Sequence, residues 1–164
     1  MQIDFVALTQ SDIRFLSDLL NEPAVVSSLH NAAQDYDTWL QTYLQFWAND
    51  ADEAHFVIRA DEKPVGWLKI NGLLSNNTAW ISMLVISGKT QSKGIGRRAV
   101  AFAEAFLFDK GFRKIGIHTT CDNLAAIALY IKSGYILTEY GDCTTGDGAN
   151  RTGYTFMKEI RQQA

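Results

Sequence analysis

The chain has only two cysteines, Cys121 and Cys143, and three histidines among its 164 residues. With no C-x-x-C pair there is no disulfide framework, and both cysteines are expected as free thiols of a reducing compartment. No His/Cys/Asp cluster has the spacing of metal ligands, so no metal is expected. No apolar run reaches the roughly 18 residues of a membrane-spanning helix, so no membrane partner is expected. The opening MQIDFVALTQSD lacks the basic n-region and apolar h-region of a signal peptide, and the chain is expected in the cytoplasm. Positive charge is not in excess either. The 15 Lys and Arg against 18 Asp and Glu leave a net charge of −3 and a pI near 5.5. That gives no electrostatic footprint for nucleic acid, which would demand a basic stripe, and no nucleic-acid partner is expected.

What is present is a globular composition, 47% hydrophobic and 12% aromatic, in a length that suits one domain over residues 1–164. Ile3 to Leu8 reads as a strand. Ser11 then starts a helix with Ile13, Leu16, Leu19 and Leu20 on one face, and Pro23 ends that region. Residues 24–34 are small and polar and are expected as a mobile loop. Leu40, Tyr43, Leu44 and Trp47 at helical spacing predict a second helix over 37–48. Three strands follow, 56–59, 65–73 and 78–86, joined by two close turns into an antiparallel meander. In the third, Ile81, Met83 and Val85 are expected to alternate against Trp80, Ser82, Leu84 and Ile86. A helix closed by Gly111, a strand over 114–119 and a short helix to Ser133 come next. Two last strands, 135–140 and 154–160, are joined by a glycine-rich loop over 141–153. The fold class is therefore a mixed α/β domain.

Two motifs carry chemistry. Gln91-Ser92-Lys93-Gly94-Ile95-Gly96 lies between a strand and an amphipathic helix. Its glycines permit a tight turn and a close approach of backbone to an anion, and the helix offers unpaired N–H groups at the same place. The run Gly94-Ile95-Gly96-Arg97-Arg98-Ala99 also matches a dinucleotide fingerprint. Ser87 to Lys93 separate it from its strand, however, and the preceding strands are hairpin-linked, which argues against a nucleotide-binding oxidoreductase. The second motif is Asn123-Leu124-Ala125-Ala126-Ile127-Ala128-Leu129-Tyr130. Asn123 and Tyr130 are seven residues apart, on nearly one face of a helix, where an amide and a phenol can meet one extended ligand. A phenol can give its proton to a leaving thiolate.

Together these stretches, with strand 78–86 and the element order of the whole chain, resemble the GNAT superfamily of N-acetyltransferases, most sharply over residues 79–140. The resemblance implies a single mixed, mostly antiparallel sheet of six to seven strands with helices on both faces. It implies acetyl-coenzyme A as cosubstrate and a primary amine, of a small molecule or a protein N-terminus, as acceptor. Gln91, Ser92, Lys93, Gly94, Ile95, Gly96 and Arg97 would hold the pyrophosphate, with Arg98 a further cation nearby. Leu84, Val85 and Ile86 would pair with the pantetheine amides and supply the N–H for the oxyanion. Asn123 would bind the pantetheine arm, and Tyr130 would bind beside the sulfur as the catalytic acid. Acceptor specificity would come from residues 24–34, 37–48 and 141–153. A homodimer is left open.

The chain departs from the family at one position. Trp80 stands where many members carry a glutamate used as general base, and strand 78–86 has no acid at all. Glu53, His55, His118, Asp142 or a chain of waters are the candidates. The same absence permits a rival reading, a non-catalytic acyl-coenzyme A sensor.

Overall fold

The computed structural model describes residues 1–162. Seven strands, β1 (Ile3–Ala7), β2 (Ala54–Ala60), β3 (Lys63–Asn71), β4 (Thr78–Ile86), β5 (Lys114–Thr120), β6 (Ile136–Thr144) and β7 (Asn150–Glu159), form one open sheet. Their order is β1-β2-β3-β4-β5-β7-β6, and every neighbouring pair is antiparallel except β4 and β5. The described residues also form five α-helices, α1 (Ile13–Leu20), α2 (Pro23–Leu29), α3 (Tyr36–Thr42), α4 (Ile95–Asp109) and α5 (Leu124–Lys132).

Two apolar clusters place helices on both faces of this sheet. Ile95, Ala99, Val100, Ala103 and Leu107 of α4 bury against Ile58, Leu68, Ile70, Ala79 and Ile81, with Tyr130 of α5 in the same cluster. On the other face Ile13, Leu16, Leu19 and Leu20 of α1 and Val25 of α2 bury against Trp67 and Val85. Each fully buried aliphatic side chain stabilises the fold by about 1.5–3 kcal/mol before entropy is subtracted.

The decisive local feature is in β4. Ile70 pairs with Ile81 and Lys69 with Met83, so Ser82 is an extra residue and forms a bulge. A bulge breaks the two-residue alternation and bends its strand. The expected alternation of Ile81, Met83 and Val85 is therefore corrected: Ile81 faces α4, whereas Met83 and Val85 face α1 and α2. The parallel ladder to β5 ends at the same place, with Thr78–Ile81 paired to Lys114–Ile117 and no further. Beyond Ile81 the two strands part, and among the described residues no strand pairs with Ser82–Ile86 on that side.

Three other expectations are corrected. Residues 24–34 are not one loop: Pro23 occupies the first turn of α2, where its fixed φ suits a helix and its absent N–H is not needed. Helix 37–48 starts at Tyr36, capped by Asp35 accepting from Thr38 N (2.8 Å), and becomes a π-helix over Tyr43–Trp47. Most of the 141–153 loop is strand, since β6 and β7 remain paired out to Thr144 and Asn150. β6 is exposed along nearly its whole length, so no burial pattern imposed an alternation that the sequence could display.

Candidate active site

Where β4 and β5 part, a cleft of about 560 Å³ opens. One wall is β4, through Leu84, Val85 and Ile86; a second is the turn before α4 with the first residues of that helix. A third is α5, and α2 closes the remaining side with Val25, Ser28 and Leu29.

Gly94 makes the α4 entrance. It is the N-cap residue with φ 78°, a left-handed conformation that a side chain would strain, and no side chain caps the helix there. The first amides of α4 are thereby left for a ligand, with the positive end of the helix dipole behind them. Gly96 serves a different purpose. A Cβ there would lie 3.0 Å from Leu129 Cδ2, so its small size lets α4 close onto α5. Gln91 donates from Nε2 to Ile86 O (3.0 Å) and ties the turn to the end of β4.

Asn123 caps α5 by accepting from Ala126 N at 3.3 Å, while its amide nitrogen has no partner among the described residues. Ala125, Ala126 and Ala128 then give α5 a low surface along which an extended molecule can lie. Tyr130 ends this wall. It is 6% exposed, and its hydroxyl, still open to the cleft, has no hydrogen-bond partner among the described residues. Burial pushes its ionisation up to about 12, so the phenol holds its proton throughout the physiological range.

Of the sequence-predicted residues, Leu84, Val85, Ile86, Gln91, Ser92, Gly94, Ile95, Gly96, Arg97, Asn123 and Tyr130 all line this one cleft. Lys93 is exposed and does not line it, and Arg98 reaches back to Met1 O (3.4 Å). Val25, Ser28 and Leu29 lie in the 24–34 segment expected to shape acceptor specificity, but they reach the cleft from a helix rather than from a loop. Their signal was Pro23 as a helix start, followed by an apolar pair.

None of the four candidate bases lines the cleft. Glu53 accepts from Lys69 Nζ and His55 Nε2, both at 2.9 Å. Burial raises its carboxyl, but the hydrogen bonds from His55 and Lys69 and the lysine charge prevail and hold it below its usual range. Trp67 Nε1 donates to His55 Nδ1 (3.2 Å), so both ring nitrogens of His55 are engaged, and burial pushes its proton affinity down. The two residues border a separate cavity of about 330 Å³. His118 is exposed on β5 and Asp142 on β6.

The sequence pattern of the Acetyltransferase (GNAT) family matches residues 14–135. The chain belongs to this family. A stretch of 89 residues is 28% identical to the streptothricin acetyltransferase of Escherichia coli, covering 54% of this chain and 51% of that protein. The spermidine N-acetyltransferase of Vibrio cholerae, solved with CoA and spermine, superposes with a TM-score of 0.86 at 21% identity, over 97% of this chain and 96% of that one. An acetyltransferase from Thermus thermophilus gives 0.82 at 20% identity over 98% of both chains. An aminoglycoside acetyltransferase in complex with coenzyme A gives 0.78 at 20% identity, over 96% of this chain and 95% of that one. At such identities the superpositions establish the GNAT fold alone. No described helix is long and apolar enough to cross a membrane, and the described residues hold no group of three His, Cys, Asp or Glu able to bind a metal.

Proposed function

We infer that this GNAT-family chain transfers an acetyl group from acetyl-coenzyme A to a primary amine of a small molecule or a protein N-terminus. One observation carries the reading: a single cleft joins the uncapped start of α4, the unpaired edge of β4 and the protonated, unpartnered hydroxyl of Tyr130. Acetyl-coenzyme A fits that set of groups. Its pyrophosphate matches the α4 amides and the Arg97 guanidinium. Its amide-bearing arm matches a strand edge that lacks a neighbour, together with the Asn123 amide nitrogen.

The residues then divide the work. Leu84 to Ile86 offer backbone N–H groups to the arm and to the carbonyl oxygen that gains charge as the amine attacks. Tyr130 gives its proton to the departing sulfur, whose ordinary affinity for a proton is lower than that of the buried phenol, so the transfer needs the sulfur to carry developing charge. Apolar Val25, Leu29 and Leu84 exclude water from the same place.

The test is coenzyme A thiol release, with the acetylated product identified by mass, across four acceptors: spermidine, kanamycin, streptothricin and a peptide with a free N-terminus. Turnover with at least one acceptor supports the reading. Coenzyme A binding with no acetylated product from any of them favours a non-catalytic acyl-coenzyme A sensor.

A further inference from the structure

The cleft has a proton donor in Tyr130, but none of the side chains lining it can take a proton from an ammonium near neutral pH. An aliphatic amine with an ordinary pKa of about 10 arrives protonated, and its lone pair is then unavailable for attack. The structure supplies an acceptor just beyond the lining. His30 follows Leu29 and Asp122 precedes Asn123, both of which are lining residues, and the two side chains meet with His30 Nε2 at 2.8 Å from Asp122 Oδ2.

Helix α2 brings His30 there by spanning the gap between the parted strands. Before its start, Glu22 accepts from Ser87 Oγ (2.7 Å) and Gly88 N (3.0 Å), just past the end of β4. At its far end His30 reaches Asp122, just past the end of β5, in a left-handed conformation with φ 54°. The β6–β7 turn closes on the same point, with Asp147 N donating to His30 O (2.8 Å).

We propose that His30 takes the proton from the incoming amine and that Asp122 fixes the ring for this purpose. The inference rests on the acetyl-transfer reading above. Thr120 Oγ1, at 2.7 Å, and then His30 hold the Asp122 carboxyl below its usual range, so Asp122 only accepts. The proton of the neutral imidazole is therefore on Nε2, and Nδ1 presents its lone pair. Nδ1 has no partner among the described residues and is not sealed from solvent, although the side chain is only 14% exposed. The charged group on the His30 ring is Asp122 from the β5–α5 loop; on the β6–β7 hairpin, whose Asp147 N donates to His30 O, the charged side chains are Asp147 and Arg151. The last two neutralise each other at 2.9 Å.

An ammonium N–H bond breaks and its proton goes to Nδ1. The freed lone pair forms the C–N bond while the C–S bond breaks, the sulfur takes the Tyr130 proton, and the second N–H proton returns to Tyr130. His30 releases its proton to solvent.

The test is kcat/KM from about pH 6 to about pH 10 with the same four acceptors, for the wild type, His30→Gln and Asp122→Asn, alongside the Kd for coenzyme A. His30→Gln should lower kcat/KM about 10²-fold near neutrality, with the deficit shrinking as pH rises and solvent supplies neutral amine. Asp122→Asn should give a smaller loss of the same pH dependence, and the Kd should not move. A deficit equal at every pH, a parallel loss of coenzyme A affinity, or no deficit overturns the assignment and leaves the pair a tether for α2. Absence of turnover by the wild type overturns the acetyl-transfer reading as well.

Discussion

Trp80 lies over Gly116 so closely that a Cβ at residue 116 would be 2.4 Å from Trp80 Cζ3. The two residues are register partners across the parallel β4–β5 ladder, just before the strands part. Glycine at 116 makes room for the indole. Gly116→Ala should therefore force the ring to move and cost at least about 1 kcal/mol, read as a Tm lower by roughly 2–4 °C per kcal/mol. An unchanged Tm would show that the indole is not held there.

Tyr130 gives two predictions of opposite pH character. Tyr130→Phe should lower kcat by about 10²-fold near neutral pH, measured as thiol release in a regime where chemistry limits the rate. Its pKa is raised from 10.0 to about 12 by burial, so the folded state keeps a proton that the unfolded chain loses. The associated stability is complete below pH 10 and is lost as pH rises through about 12. Alkaline denaturation of Tyr130→Phe should begin less steeply in that window than that of the wild type.

The two glycines of the α4 entrance separate conformation from packing. Gly94→Ala meets no atom within 4 Å but must adopt φ 78°, which costs roughly 1–2 kcal/mol or distorts the turn. It should weaken coenzyme A binding more than it lowers Tm. Gly96→Ala presses on Leu129 and should do the reverse, loosening α4 from α5. Calorimetric titration beside thermal melts distinguishes the pair.

His55 predicts the acid side of the stability profile. Burial, the largest effect on it, lowers its proton affinity in the folded state, so the unfolded chain binds more protons as pH falls. Stability is therefore lost as pH drops below the ordinary histidine value of 6.5. His55→Gln should flatten that loss in urea melts while leaving acetyl transfer intact, since His55 borders the smaller cavity rather than the cleft.

The GNAT order of elements was legible because β2–β4 are apolar runs set off by close turns, and α4 shows its buried stripe, Ile95, Ala99, Ala103 and Leu107, at helical spacing. The glycine turn and the Asn123–Tyr130 pair were legible for a similar reason: each requires a particular residue type at a particular place. The Ser82 bulge was not, since a bulge depends on cross-strand register and Ser82 itself is an ordinary strand residue. α2 was hidden by its seven-residue length, too short for periodicity to speak. The His30–Asp122 contact joins positions 92 residues apart, and nothing local in either segment announces the other.

The central claim is that the parted strands, the α4 entrance and α5 hold one acyl-coenzyme A. Hydrogen-exchange mass spectrometry with and without coenzyme A measures this directly. Protection should appear together at residues 84–86, at the first amides of α4 over 95–97, and along 123–130, and NADH should reproduce none of it. No protection with coenzyme A, or protection confined to residues outside those three segments, would contradict the account.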